Sequence, residues 1–201
     1  MKTAPDTPEE QALIQAAQTG DVTAFNELVL RYQTQVYNLA YHIMHDESAA
    51  DDAAQTAFIS AYRALKRFRG GSFRAWLLRI VTNACYDELR RHKRHPQISW
   101  EEFGDVDEEA NPHMADTSVS PEEALAQQEL RDLLERTIAK LPQHQRMTLI
   151  LVDQMGLSYK EAAQVMRVAQ GTVKSRLARA RRTMQSLLQS ESELLPHRYR
   201  L

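Results

Sequence analysis

Apolar residues recur along most of the chain at three- and four-residue steps, and nowhere do they alternate cleanly, so the pattern predicts helices and no strand. Thr7-Pro8-Glu9-Glu10 opens a first short helix: Thr7 caps, Pro8 takes the first turn and Glu10 closes a capping box. Gly20 ends it and Asp21 caps a second helix, whose Phe25, Leu28, Val29, Tyr32, Val36, Leu39, Ala40 and Ile43 fall on one stripe. Ser48 with Asp51 starts a third, with Ala54, Ala57, Phe58, Ala61, Tyr62 and Leu65 as its inner face. The stretch Phe68-Arg69-Gly70-Gly71-Ser72 breaks the period. A fourth helix then turns Phe73, Trp76, Leu77, Ile80, Val81 and Ala84 inward and runs to about Arg94, where His95-Pro96 stops it.

Periodicity is lost from Pro96 to Ser120. That stretch is acidic, contains prolines and has few aliphatics, so it reads as a linker that cannot offset the entropy of ordering. Trp100 and Phe103 are its two aromatics, suited either to docking or to leaning on a nearby surface. Ser120-Pro121-Glu122-Glu123 is a second capping box, opening a helix through Leu125, Leu130, Leu133, Leu134, Ile138 and Leu141 that Pro142 ends. A shorter helix spans about 143–154 and stops at Gly156. Ser158 with Glu161 caps a helix from Tyr159 to Met166, and a last one runs from near Gln170 to about Gln189. The fold class is therefore all-α: a helical extension (1–19), a four-helix domain (20–95), an acidic linker (96–121), a second helical domain (122–189) and a tail (190–201).

Charge sharpens this division. The formal net charge is only −2. Yet residues 63–94 carry ten basic against two acidic side chains, and residues 156–182 carry seven basic against Glu161 alone. Between them, residues 96–130 hold ten acidic side chains and no Lys or Arg. Two basic blocks on separate helical units point to a polyanion held at two places. No apolar run is long enough to span a bilayer and the acidic N-terminus is no secretory signal, so a soluble cytoplasmic protein without membrane insertion is expected. The lone Cys85 excludes an internal disulfide framework and reads as a buried thiol. The seven histidines form no ligand cluster, and there is no nucleophile–base pair, paired-acid motif or cofactor fingerprint. Neither enzyme activity nor a cofactor nor a metal is expected.

The most specific local pattern is SYKEAAQVMRVAQGTVKSRLARARR at 158–182. A short helix with Ala162 and Ala163 at its packing face meets a tight turn at Arg167-Val168-Ala169. The next helix buries Val173 and Leu177 while exposing Thr172, Lys174, Ser175, Arg176, Arg179 and Arg182. Small residues allow a close, steep helix crossing, as a helix-turn-helix requires. A basic outer face of that shape suits a DNA major groove.

With that motif in view, LPQHQRMTLILVDQMGLSYKEAAQVMRVAQGTVKSRLARARR resembles region 4 of the bacterial sigma-70 transcription initiation factors. The segment from GDVTAFNELV to CYDELRRHKR resembles their region 2, and no region 3 fits between. The pair is similar to the small, two-domain extracytoplasmic-function (ECF) sigma factors. The resemblance covers roughly residues 20–95 and 122–189. It implies binding to bacterial RNA polymerase core, recognition of the −10 and −35 promoter elements and promotion of melting, without catalysis. It implies that region 2 meets the β′ clamp helices through Asp51, Asp52, Gln55, Ser60, Arg63 and Arg67, and captures the −10 element with the loop Arg69, Gly70, Gly71, Ser72 and Phe73 together with Asn83. Arg74, Arg79, Arg90, Arg91, Lys93 and Arg94 would line the phosphate track. Phe73 and Trp76 also fit a core role, which Trp76 favours from its place mid-stripe. Region 4 would meet the β-flap tip and read the −35 element through Thr172, Lys174, Ser175, Arg176 and Arg179, with Arg182 on phosphate. An anti-sigma factor is a further partner the resemblance suggests, and the acidic linker fits either a nucleic-acid mimic or solubilising charge. The alternative is a stand-alone helix-turn-helix regulator, which would bind a two-fold symmetric site without polymerase.

Overall fold

A computed structural model describes residues 7–94 and 121–190 of the 201-residue chain. The linker with Trp100 and Phe103, the capping Ser120 and the tail from 191 lie outside the described residues, and every element within them is helical.

Helix α1 (Pro8–Gln18) starts where Thr7 accepts the Glu10 backbone N–H at 3.2 Å. Only this half of the expected capping box is drawn. The Glu10 side chain is buried instead and accepts a hydrogen bond from the Tyr32 hydroxyl of the next helix. A carboxylate that finds a donor inside the fold is worth more there than on its own helix end. Helix α2 (Val22–Met44) is capped by Asp21, which accepts the N–H groups of Thr23 and Ala24, and ends on His45 in the left-handed region (φ 55). Helix α3 (Glu47–Ala64) begins on Asp46 rather than at Ser48, because the Asp46 carboxylate takes the Ala49 N–H at 2.7 Å. A 3₁₀ turn (Leu65–Arg67) and the loop 68–72 lead into α4 (Phe73–Arg94).

The packing of these helices follows the volumes of their inner faces. Helix α3 buries Ala50, Ala53, Ala54, Ala57 and Ala61, and small side chains there let α2 and α4 approach closely. Leu28, Tyr32, Val36 and Leu39 of α2 and Leu77, Leu78 and Val81 of α4 fill the space between. Cys85 lies fully inside, and burial pushes its thiol up to about 12. Tyr62 departs from the sequence expectation: it is 42% exposed, resting its ring 4.9 Å from Phe25. Three- and four-residue spacing puts Tyr62 at the margin of the α3 stripe, where the all-alanine inner face leaves no room for a phenol.

The second unit comprises α5 (Pro121–Ala139), α6 (Gln143–Leu149), a π-helical turn (Ile150–Gln154), α7 (Tyr159–Met166) and α8 (Gln170–Ser190). The sequence pattern ran α6 on to about residue 154, and the wider turn is what it could not show. Met155 N–H reaches the Ile150 carbonyl at 2.9 Å, and Leu157 N–H reaches Leu151 at 2.9 Å, which closes the helix before Gly156. Helices α6, α7 and α8 surround Ile150, Leu151, Ala162, Val165, Val173, Leu177 and Ala180.

Candidate nucleic-acid interface

The helix-turn-helix is built by local chemistry. Ser158 accepts the Glu161 N–H at 3.2 Å while the Glu161 carboxylate accepts the Ser158 N–H at 2.9 Å, a full capping box. The α7 C-cap Arg167 takes the left-handed conformation (φ 53) and its N–H returns to the Ala163 carbonyl, turning the chain into α8 within three residues. Ala162 is fully buried, so the two helices touch with almost no side chain between them. From α8, Val173 and Leu177 point inward, and Arg181 is held by a bidentate contact to Asp153 at 2.6 and 2.9 Å. That pair ties α8 to the π-helical turn and commits the exposed Arg181 to an internal partner.

The other α8 residues singled out in the sequence lie on the accessible side. Lys174, Ser175, Arg179 and Arg182 are exposed, and Thr172 and Arg176 are half-buried. Two of these carry internal contacts. The Lys174 ammonium sits 5.7 Å from the centre of the Tyr159 ring, and the Ser175 hydroxyl donates to the Thr172 carbonyl at 3.0 Å. Arg179 and Arg182 are the exposed long cations of this surface, with half-buried Arg176 beside them.

In the first unit, the loop before α4 depends on Gly70 and Gly71, both at positive φ (95 and 87). Nothing lies within 4 Å of a side chain placed at either, so backbone conformation rather than space selects glycine. Arg69 is exposed beside them and Asn83 is exposed farther along α4, while Arg90 and Arg91 make i,i+3 ion pairs with Asp87 and Glu88 on the α4 surface. Such exposed pairs are worth roughly 0–1 kcal/mol and yield readily to a phosphate. Arg94 is the last described residue of α4.

Phe73 and Arg74 are placed differently. Phe73 is 1% exposed, with its ring 5.6 Å from Tyr32, 5.7 Å from Phe68 and 5.4 Å from Trp76. Of the two roles open to it, the structure assigns the core. Trp76 is partly buried in the same aromatic group. Arg74 is 9% exposed and not on an open track: its Nε donates to Gln35 Oε1 at 2.7 Å and its Nη2 donates to the Met155 carbonyl of the second unit. Ser72 also reaches across, donating from Oγ to Glu161 Oε1 at 2.7 Å. Hydrogen bonds from Ser72 and Ser158, with the Arg74 charge nearby, outweigh burial and hold the Glu161 carboxyl below its ordinary value. Nothing in the sequence announced these contacts, because their partners lie 81 and 89 positions apart.

Along α3, Asp51, Asp52, Gln55, Ser60 and Arg63 are exposed, as is Arg67 just beyond it. Ile59 (53% exposed) and Tyr62 share that outer side, and Val22 (54%) is exposed at the start of α2. The apolar members were missed in the sequence because only charged and polar positions were sought on this face. Among the described residues no helix is long and apolar enough to cross a membrane.

Comparison with known proteins adds the family. Residues 28–95 match sigma-70 region 2, and residues 131–184 match sigma-70 region 4. The chain is 40% identical to the RNA polymerase sigma-H factor of Pseudomonas aeruginosa, over 90% of this chain and 94% of that one. It is 39% identical to the ECF RNA polymerase sigma-E factor of Escherichia coli K12, again over 90% and 94%. Among solved structures, CnrH in complex with the cytosolic domain of CnrY superposes with a TM-score of 0.67 at 27% identity, covering 91% of this chain and 99% of that one. The sigma factor RpoE in complex with the anti-sigma factor NepR from Bartonella quintana gives 0.63 at 27% identity, covering 83% and 98%. With region 2 in α2–α4 and region 4 in α5–α8, the chain belongs to the ECF RNA polymerase sigma factors of the sigma-70 family.

Proposed function

We propose that this sigma factor docks on the β′ clamp helices through the outer face of α3 and divides promoter reading between its two basic surfaces. The observation that carries the reading is the pairing of an exposed, basic helix-turn-helix with a glycine-built loop and an exposed Asn83 on the helix that follows it, on two units joined by one linker. Neither surface alone explains why a chain should hold both.

The division of labour follows from geometry. A rigid helix face suits duplex DNA, so Thr172, Lys174, Ser175, Arg176 and Arg179 read the −35 element in the major groove and Arg182 holds phosphate. A loop with free backbone suits an unpaired base. Arg69, Gly70, Gly71 and Ser72 form the rim of the −10 pocket, Asn83 offers a donor and an acceptor to the base edge, and buried Phe73 fixes the loop from beneath. Extruding a base costs a few kcal/mol, and capture returns roughly 1–3 kcal/mol per base, so a few captured bases favour melting once polymerase holds the backbone. Arg79, Arg90, Arg91 and Arg94 supply the phosphate track, which Arg74 joins only when its bonds to Gln35 and Met155 open. Asp51, Asp52, Gln55, Ser60, Arg63 and Arg67 make the polar contacts to the clamp around the exposed Ile59 and Tyr62. Region 4 meets the β-flap tip, an anti-sigma factor is a natural partner, and the chain performs no catalysis of its own.

Reconstituted transcription with purified bacterial core polymerase across a promoter library tests this. Core-dependent transcripts that start downstream of one shared pair of unlike elements are the expected result. Binding to a symmetric site without core would replace the reading with a dimeric regulator.

A further inference from the structure

Resting on the −10 assignment, we propose that Gln18, the last residue of α1, is a positioning residue for base capture: its side-chain amide pins the main chain where the loop 69–72 begins.

The Gln18 amide donates from Nε2 to the Phe68 carbonyl at 2.9 Å and to the Leu65 carbonyl at 3.0 Å. Both acceptors belong to the 3₁₀ turn that closes α3 and its cap, where a helix leaves carbonyls without partners of their own. Leu65 also takes the Phe68 N–H at 2.9 Å, whereas the Phe68 carbonyl, next to Arg69, depends on Gln18 alone among the described residues. Beyond it the loop does little to hold itself. Among the described residues no backbone hydrogen bond involves residues 69–71, and Gly70 and Gly71 at positive φ supply freedom rather than stiffness. Where the loop meets a base is therefore set by its two ends. The far end is fixed by packing: Phe73 is buried, with the Phe68 ring 5.7 Å from it and 5.2 Å from Trp76. The near end is fixed by Gln18. That side chain is itself presented from a firm base, since Ile14 and Ala17 are buried and the N–H groups of Thr19 and Asp21 both return to the Ala16 carbonyl at 3.1 Å. Toward the start of the same helix, buried Glu10 accepts the Tyr32 hydroxyl, and the Tyr32 ring lies 5.6 Å from Phe73. Helix α1 thus reaches both ends of the loop, although it precedes the residues 28–95 that match region 2.

The test keeps the full chain, alone and with core polymerase. Gln18→Met preserves the length and bulk of the side chain without a donor, and Gln18→Lys returns donors to the two carbonyls. In Gln18→Met, amide hydrogen exchange across residues 69–72 should rise about three- to tenfold, with exchange in α2 level as the sign of an intact fold. Core-dependent opening of a duplex promoter should slow by the same factor. Gln18→Lys should bring both readouts back to within about twofold of the parent, which packing alone would not do because methionine already packs. Combined with Asn83→Ala, Gln18→Met should add little further slowing, since both act on one base contact. Unchanged exchange in Gln18→Met, or Gln18→Lys as defective as Gln18→Met, overturns the inference. So do slowdowns that simply multiply, or a loosened loop with normal opening while Asn83→Ala slows it. A loosened loop with normal opening in both Gln18→Met and Asn83→Ala would instead count against the −10 assignment and leave the brace on the loop standing.

Discussion

The two DNA-facing surfaces differ in how they are held. The region 4 surface is one side of a helix whose opposite side is nailed down by Val173, Leu177 and the Arg181–Asp153 pair, so its outer side chains are presented whatever the rest of the chain does. The region 2 surface is a loop of mixed commitment: Arg69, Gly70 and Gly71 are exposed, while Phe73 belongs to the core, Arg74 bonds Met155 and Gln35, and Ser72 bonds Glu161. A helix face is held by its own unit alone, whereas this loop shares Ser72 and the adjoining Arg74 with the other unit.

The strongest way to break the comparison is to loosen the support of one surface alone. Leu177→Ala should cost about 2–5 kcal/mol of region 4 stability, read by calorimetry, and abolish duplex binding while α2–α4 keeps its helicity. If both units melt together, the surfaces are not independently supported. Next in size, Asn83→Ala should slow open-complex formation on duplex promoter by roughly 10- to 100-fold, from about 1–3 kcal/mol of base contact, with polymerase binding intact. Unchanged opening kinetics would take Asn83 out of the pocket. Arg176→Ala should cost on the order of 1–3 kcal/mol at one base position of the −35 element, measured by binding to a substitution series. Equal weakening on every sequence would make it a phosphate contact.

How far the sequence carried follows the same contrast. Caps, helix starts and the α8 stripe depend on residues within four positions of each other, so they were legible: Asp21, Ser158 and the Arg167 turn all stand where the pattern put them. Glu10 and Tyr62 were misplaced, and the Arg74 contact went unforeseen, for one shared reason. Each has a partner or a neighbour on another helix, and periodicity on its own helix carries no trace of it. The π-helical turn was invisible because it alters hydrogen-bond register without altering which residues are apolar.

A smaller effect sharpens the comparison through acidity. Burial holds the His42 imidazole below its ordinary 6.5, with the neighbouring His45 and the Arg146 charge of region 4 adding to the effect. Stability from keeping it neutral is complete above 6.5 and is lost as pH falls from there through the depressed value. Thermal stability should therefore fall below about pH 6.5, read by melting across a pH series, and Arg146→Gln should flatten the profile. A profile unchanged by Arg146→Gln would place the titration away from His42. The smallest change is local. Arg167→Gly should stabilise region 4 by up to about 1 kcal/mol in thermal unfolding by relieving the left-handed residue, without moving the −10 readout.

One acceptor between the two units belongs to the main chain. Every amino acid placed at position 155 would supply the same carbonyl, so drift at that position leaves the hold on Arg74 chemically in place. Heritable adjustment of how readily the domains part runs instead through side chains such as Gln35, Arg74, Ser72 and Glu161, two of which belong to the surface proposed to meet the promoter.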